Sequence, residues 1–148
     1  MFKADWTYVH ASEIRPNVCT ALLTTYKHRG LTDKAILRDA KIPSPFVGPC
    51  DIWSFTPPCE PFSKRNHSRS DEGFANSAEQ LEAMLWYPRT WNPRIILVEN
   101  VDEPAAAAIV TGALLTLPGY TWSVITTEAR DYSDMCRARR MWIGVRDA

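Results

Sequence analysis

Arg94-Ile95-Ile96-Leu97-Val98, followed at once by Glu99-Asn100-Val101, is the stretch on which the fold turns. Its apolar residues are continuous rather than alternating. That pattern marks a strand buried on both faces, as in a parallel sheet flanked by helices. Working outward, Asp51 to Thr56 (Asp-Ile-Trp-Ser-Phe-Thr) reads as another buried strand, cut off by Pro57-Pro58. Trp6 to Ala11 reads as a first strand ended by Ser12-Glu13, and Lys34 to Leu37 as a short second one delivering Asp39. A helix should start near Pro16, carry Val18, Leu22 and Tyr26 at helical spacing, and stop at Gly30. Ser63 to Ala75 reads as an exposed loop, and Ser77-x-x-Gln80 as a capping box for a helix bearing Leu81, Met84 and Leu85. Pro104 to Leu117 predicts an alanine-rich helix ended by Pro118-Gly119. Tyr120 to Thr126 and Met141 to Val145 predict a closing antiparallel hairpin at the sheet edge. Strands alternating with helices make an α/β domain with a mostly parallel sheet.

Composition narrows the class further. The 148 residues suit a single domain, read here as residues 1–148. A content of 45% hydrophobic and 23% charged residues is that of a folded globular chain. Basic and acidic residues balance at 17 each, so bulk charge cannot wrap nucleic acid, and any basic surface must be a local patch. No apolar run approaches the ~20 residues that span a bilayer, and Met1 to Tyr8 lacks the apolar core of a secretion signal. The four cysteines contain no Cys-x-x-Cys pair, which argues against a zinc knuckle or a disulfide scaffold. Reduced thiols, and therefore a cytoplasmic or nuclear setting, are expected.

Ligands of open parallel sheets bind beyond the carboxyl ends of the strands. Those ends carry Glu13, Asp39, the run Pro57-Pro58-Cys59-Glu60-Pro61-Phe62-Ser63, and Glu99-Asn100-Val101. Taken singly, each has an ordinary reading. A cysteine between prolines is usually a turn residue, and Glu99 or Asp102 could prepare the helix at Pro104.

Their combination is more specific. Asp51-Ile52, then Pro57-Pro58-Cys59-x-Pro61-Phe62-Ser63, then Pro93-Arg94-Ile95-Ile96-Leu97-Val98-Glu99-Asn100-Val101, then Arg137-x-Arg139, resembles the C5-cytosine methyltransferases over nearly the whole chain. The Pro-Cys run looks like their motif IV, Glu99-Asn100-Val101 like motif VI and Arg137-Ala138-Arg139 like motif VIII. Glu13 and Asp39 fall where motifs II and III would be. The resemblance implies an incomplete Rossmann-like fold dependent on S-adenosylmethionine, with a C-terminal antiparallel hairpin.

It also implies roles. Cys59 would be the thiolate that adds to C6 of cytosine, turning an unreactive ring into an enamine-like nucleophile. Glu99, as a carboxylic acid at N3 and the exocyclic amine, would stabilise the charge so created. Arg137 and Arg139 would contact O2 of the base and a nearby phosphate or carboxylate. Glu13 would hold the ribose hydroxyls of S-adenosylmethionine and Asp39 its adenine amine, with Pro57 and Pro58 completing the cofactor side and stiffening Cys59. Asn100 would hold the neighbouring backbone. Ser63, Lys64 and Arg65 begin a basic loop that would meet the substrate, and the target base must leave its stack to reach the thiol. DNA is the expected polymer, with RNA the alternative.

This chain also departs from the family pattern. No Gly-x-Gly occurs in it, so the glycine-rich turn of motif I is absent, as are the recognition region and motif X. Glu60 stands where the family has glutamine, and Met135-Cys136 precede the Arg-x-Arg pair where a glutamine is usual. The expectation is a catalytic subunit or fragment completed by a second chain, or by self-association through the sheet. The alternative is a catalytically inactive module that binds nucleic acid or serves a structural role.

Overall fold

The computed structural model describes residues 7–62, 68, 70–128 and 138–148, which divide into two compact units, 1–50 and 51–148. In the first unit, β1 (Ala11–Ser12) pairs in parallel with β2 (Ile36–Leu37). Of the described residues 7–11 of the expected first strand, only Ala11 enters β1, although Tyr8 N–H bonds the Arg29 carbonyl at 2.7 Å. Helix α1 (Pro16–Tyr26) opens with Pro16, whose fixed φ and missing N–H suit a first turn. It closes through a 3-10 turn, Lys27–Arg29, onto Gly30 at φ 93°, the left-handed conformation that glycine adopts without strain. Cys19, Leu31, Ala35 and Ile36 form the core of this unit, with Leu22, Leu23 and Tyr26 packed against it.

The second unit is a four-stranded sheet of order β3-β4-β6-β5. Strand β3 (Ile52–Phe55) runs parallel to β4 (Ile95–Val101); β6 (Ala138–Arg146) is antiparallel to both β4 and β5 (Tyr120–Glu128). The closing hairpin therefore forms as expected. Strand β4 is longer than its aliphatic run suggested: Glu99, Asn100 and Val101 lie within it rather than after it, because β6 supplies partners as far as Val101.

Among the described residues, three helices accompany the sheet. Helix α2 (Asp71–Met84) starts well before Ser77, with Ser70 as its cap accepting from Gly73 N–H at 3.1 Å. Ser77 sits inside the helix and donates back to the Gly73 carbonyl at 3.0 Å, so its capping-box reading is corrected. Asp71 to Ala75 are likewise helical, not loop. Helix α3 (Trp86–Trp91) ends on Asn92 at φ 45°, and α4 (Pro104–Leu114) stops three residues short of Leu117.

Register assigns the sheet faces. Trp53, Ile96 and Gly144 share one face, as do Phe55, Val98 and Trp142. This face meets the helices: Trp142 Nε1 donates to Thr111 Oγ1 of α4 at 2.9 Å, and Trp53 stacks on Tyr87 of α3. On the opposite face Ile125, Met141 and Val145 are exposed, where continuous apolar strands had suggested full cover. The Trp122 indole of β5 crowds Gly144, and a Cβ built there would come within 2.7 Å of the ring.

Gly144→Ala should therefore lower stability by about 1–3 kcal/mol, since the large indole across the strand pair must shift to admit a methyl group. Urea unfolding followed by tryptophan fluorescence reads the loss. A pH effect should come from the first unit, where burial lowers the pKa of the His10 imidazole below its ordinary value. The unfolded chain then binds more protons than the folded one below about pH 6.5, so this contribution is complete above that pH and lost as pH falls. Replacing His10 with Gln should flatten the decline in unfolding midpoint between neutral and mildly acidic pH.

Candidate active site at the end of the central strand

The site forms where β3 runs into the loop that holds Cys59 and where β4 ends. Asn100 is the tie between them. It is 1% exposed, its Nδ2 donates to the Pro57 carbonyl at 3.3 Å, and its Oδ1 accepts from Val101 N–H at 2.7 Å. Pro57 and Pro58 lack N–H groups, so this loop cannot extend a ladder; its carbonyl is instead satisfied by a side chain from the neighbouring strand. Cys59 follows in a tight turn closed by Phe62 N–H on the Cys59 carbonyl at 3.1 Å. The cysteine is half-buried and packs against a cluster of Phe62, Val101 and Ala106, which places it beside the end of β4.

Glu99 and Asn100 are consecutive and therefore face opposite sides of the sheet. While Asn100 is buried, Glu99 is partly open, and Arg139 Nε lies 3.0 Å from its Oε1. The two come from different strands: Arg139 is the register partner of Val101, diagonally across from Glu99 on the same face. Thus Pro57, Cys59, Glu99, Asn100 and Arg139 gather at one rim of the second unit. Ser63, Lys64, Arg65 and Arg137 lie outside the described residues. Pro58 is half-buried between the two anchored positions.

Glu13 and Asp39 belong to the first unit, just past the ends of the adjacent parallel strands β1 and β2. Glu13 N–H bonds the Leu37 carbonyl at 3.0 Å, and Cys19 Sγ donates to the Glu13 carbonyl at 3.1 Å, so its backbone is held from two sides. Its carboxylate accepts from Arg15 N at 2.9 Å and Arg15 Nε at 3.1 Å, and this bonding lowers its pKa below the ordinary carboxylate value. Asp39 caps its own loop, accepting from Lys41 N–H at 2.9 Å. Two carboxylates, both hydrogen-bond acceptors, thus lie just beyond neighbouring parallel strands.

Two residues with a place here carry no mark in the sequence. Preparing the helix at Pro104 is the ordinary role for Glu99 or Asp102, but the cap position of α4 is Glu103, with no side-chain capping bond. Asp102 instead accepts from Arg140 Nε at 2.9 Å, with Arg140 Nη2 at 2.7 Å. The one available signal was the tandem Arg139-Arg140, since neighbours on a strand need acids on both faces. Among the described residues, no cluster of His, Cys, Asp and Glu could hold a metal ion, and no helix is long and apolar enough to cross a membrane.

Solved structures share this architecture. The chain is similar to a DNA modification methyltransferase encoded within an E. coli prophage, at TM-score 0.66 and 20% identity, with 94% of this chain and 40% of that chain covered. It is similar to a methyltransferase of Entamoeba histolytica at TM-score 0.63 and 15% identity, covering 92% of this chain and 44% of that one. The Dnmt2 methyltransferase of S. pombe matches at TM-score 0.56 and 19% identity, covering 95% and 42%. No protein-family model and no curated protein matches the chain. The fold is that of a methyltransferase in part, as the resemblance to the C5-cytosine methyltransferases implied. The chain spans about two fifths of the length of these neighbours.

Asn100→Ala should cost about 1–3 kcal/mol, because it strips the Pro57 carbonyl of this donor in a buried setting. Chemical denaturation measures the loss, and thiol-reagent accessibility of Cys59 should rise in parallel as its loop loosens.

Proposed function

We propose that this chain carries the chemical centre of a cytosine-C5 methyltransferase acting on DNA through a covalent adduct at Cys59. The observation that carries the reading is the gathering of Cys59, Glu99 and Arg139 at one strand end, braced by the Asn100–Pro57 bond. A rigid thiol, a carboxyl group and a guanidinium are the three functions that activation of a pyrimidine ring needs. The Cys59 thiolate adds to C6 and drives electron density toward C5. Glu99, as the acid, donates to N3 and accepts from the exocyclic amine, neutralising the charge that addition creates. Arg139 holds Glu99 in place and offers its remaining donors to O2 or a phosphate. Once C5 carries the methyl group, its proton passes to water, Cys59 leaves as thiolate and the N3 proton returns to Glu99, restoring the aromatic ring.

S-adenosylmethionine, when bound, supplies the methyl group. Glu13 and Asp39 would hold its ribose and adenine amine, and their fixed positions after β1 and β2 fit that task. Pro57 and Pro58 would border the transfer path. Ser63, Lys64 and Arg65, with Arg137, would meet the nucleic acid. The glycine-rich turn that cradles such a cofactor is absent from this sequence. Strand β3 pairs only with β4 among the described residues, and its other edge suits an added strand from a second chain or a second copy.

An oligonucleotide bearing 5-fluorocytosine tests the chemistry, because fluorine at C5 leaves no proton to lose and stalls the cycle after methyl transfer. Incubated with S-adenosylmethionine and the candidate completing chain, the wild type should give an adduct that survives denaturing electrophoresis. Cys59→Ser should give none, and Glu99→Gln should slow adduct formation by about 10²–10⁴-fold, the usual contribution of a general acid. If the wild type forms no adduct under any pairing, the inactive binding module is the correct reading.

A further inference from the structure

The β4–β6 ladder ends at the pair Val101↔Arg139, so the residue that grips Glu99 occupies the last rung. Strand ends fray, and a frayed last rung would release Arg139 from Glu99. On the other face, Arg140, next after Arg139 on β6, and Asp102, the residue after Val101, form a second diagonal ion pair. Arg140 points opposite to Arg139, and the Asp102 carboxylate takes both its Nε at 2.9 Å and its Nη2 at 2.7 Å. Asp102 N–H also reaches the Ala138 carbonyl at 3.4 Å, one step beyond the ladder. The Arg140–Asp102 and Arg139–Glu99 pairs are comparably shielded: the side chains of Arg140 and Asp102 are 32% and 24% exposed, those of Arg139 and Glu99 24% and 31%.

We infer that Asp102 is a positioning residue, whose grip on Arg140 clamps the end of the β4–β6 ladder and so keeps Arg139 on Glu99. Strand alternation makes the device work. Consecutive arginines cannot share one acid, so each face needs its own, and the two pairs together oppose both fraying and sliding of β6 along β4. Trp142 and Gly144 already decide which face of β6 turns inward, through Thr111 and Trp122. They do so further down the strand, leaving the site end to Asp102. The structural half of this inference stands by itself; its consequence for catalysis rests on the function proposed above.

The test compares the full chain with Asp102→Asn and with the exchanged pair Asp102→Arg/Arg140→Asp. Side-chain NMR of Arg139 Nε–H is the primary reading. The wild type should show one protected signal with contacts to Glu99; Asp102→Asn should exchange at least tenfold faster, and the exchanged pair should restore protection. Gly144→Ala serves as the control, weakening the same sheet away from this end. Equal loss of Arg139 protection in Gly144→Ala and Asp102→Asn, or none in Asp102→Asn, overturns the inference. If the wild type forms the 5-fluorocytosine adduct, Asp102→Asn should slow trapping about tenfold at saturating oligonucleotide without weakening its binding. A wild type that forms no adduct refutes the proposed function while the NMR result still decides the role of Asp102.

Discussion

One buried amide organises the carboxyl end of β4. Asn100 sits where water cannot reach, and a polar group there must find partners within the protein. Its amide does so in both senses, giving a hydrogen to the Pro57 carbonyl and taking one from Val101 N–H. No other side chain of this size donates and accepts at once from a single planar group. An aspartate could not donate while ionised, and a leucine could do neither. The bond joins a proline-stiffened loop, which has no ladder of its own, to the most buried strand of the second unit. Cys59, two residues beyond Pro57, is thereby held against Val101 and Phe62.

Strand alternation then divides labour between neighbours. Glu99 and Asn100 differ by one position and face opposite ways, so one stays open to chemistry while the other is committed to the interior. Arg139 and Arg140 repeat the arrangement on β6. Glu99 and Arg139 are partly open, and each has as its neighbour a residue bonded on the far face, Asn100 to Pro57 and Arg140 to Asp102. A site built on paired strands inherits their spacing, which is more exact than a free loop could supply.

Much of this was readable in advance. Ile95 to Val98 and Ile52 to Phe55, read as buried strands from their uninterrupted apolar residues, pair in parallel, although only the face toward the helices is fully covered. Pro16 and Gly30 bracketed α1 as their restricted or permissive φ demands. Misreadings arose where a local signal met a stronger tertiary partner. Ser77 has the spacing of a cap, yet Ser70, with Asp71 and Glu72 behind it, caps the helix a full two turns earlier. Glu99-Asn100-Val101 looked like a strand's aftermath since polar residues usually leave a sheet. Strand β6 keeps them in the ladder by lending backbone partners from far along the chain.

By itself the sequence determined the α/β alternation and the prolines before Cys59, and it singled out Glu99 and Arg139, which the structure pairs across two strands. These follow from local rules: backbone restriction at proline, apolar periodicity, and residue types that chemistry requires together. Only the tertiary structure decided which arginine meets which acid. Asp102 and Arg140 are separated by 38 positions and become neighbours solely through the register of an antiparallel pair. Register is a property of two strands jointly, set by Trp142 beneath one helix and Gly144 beneath one indole, and no single stretch of chain contains it.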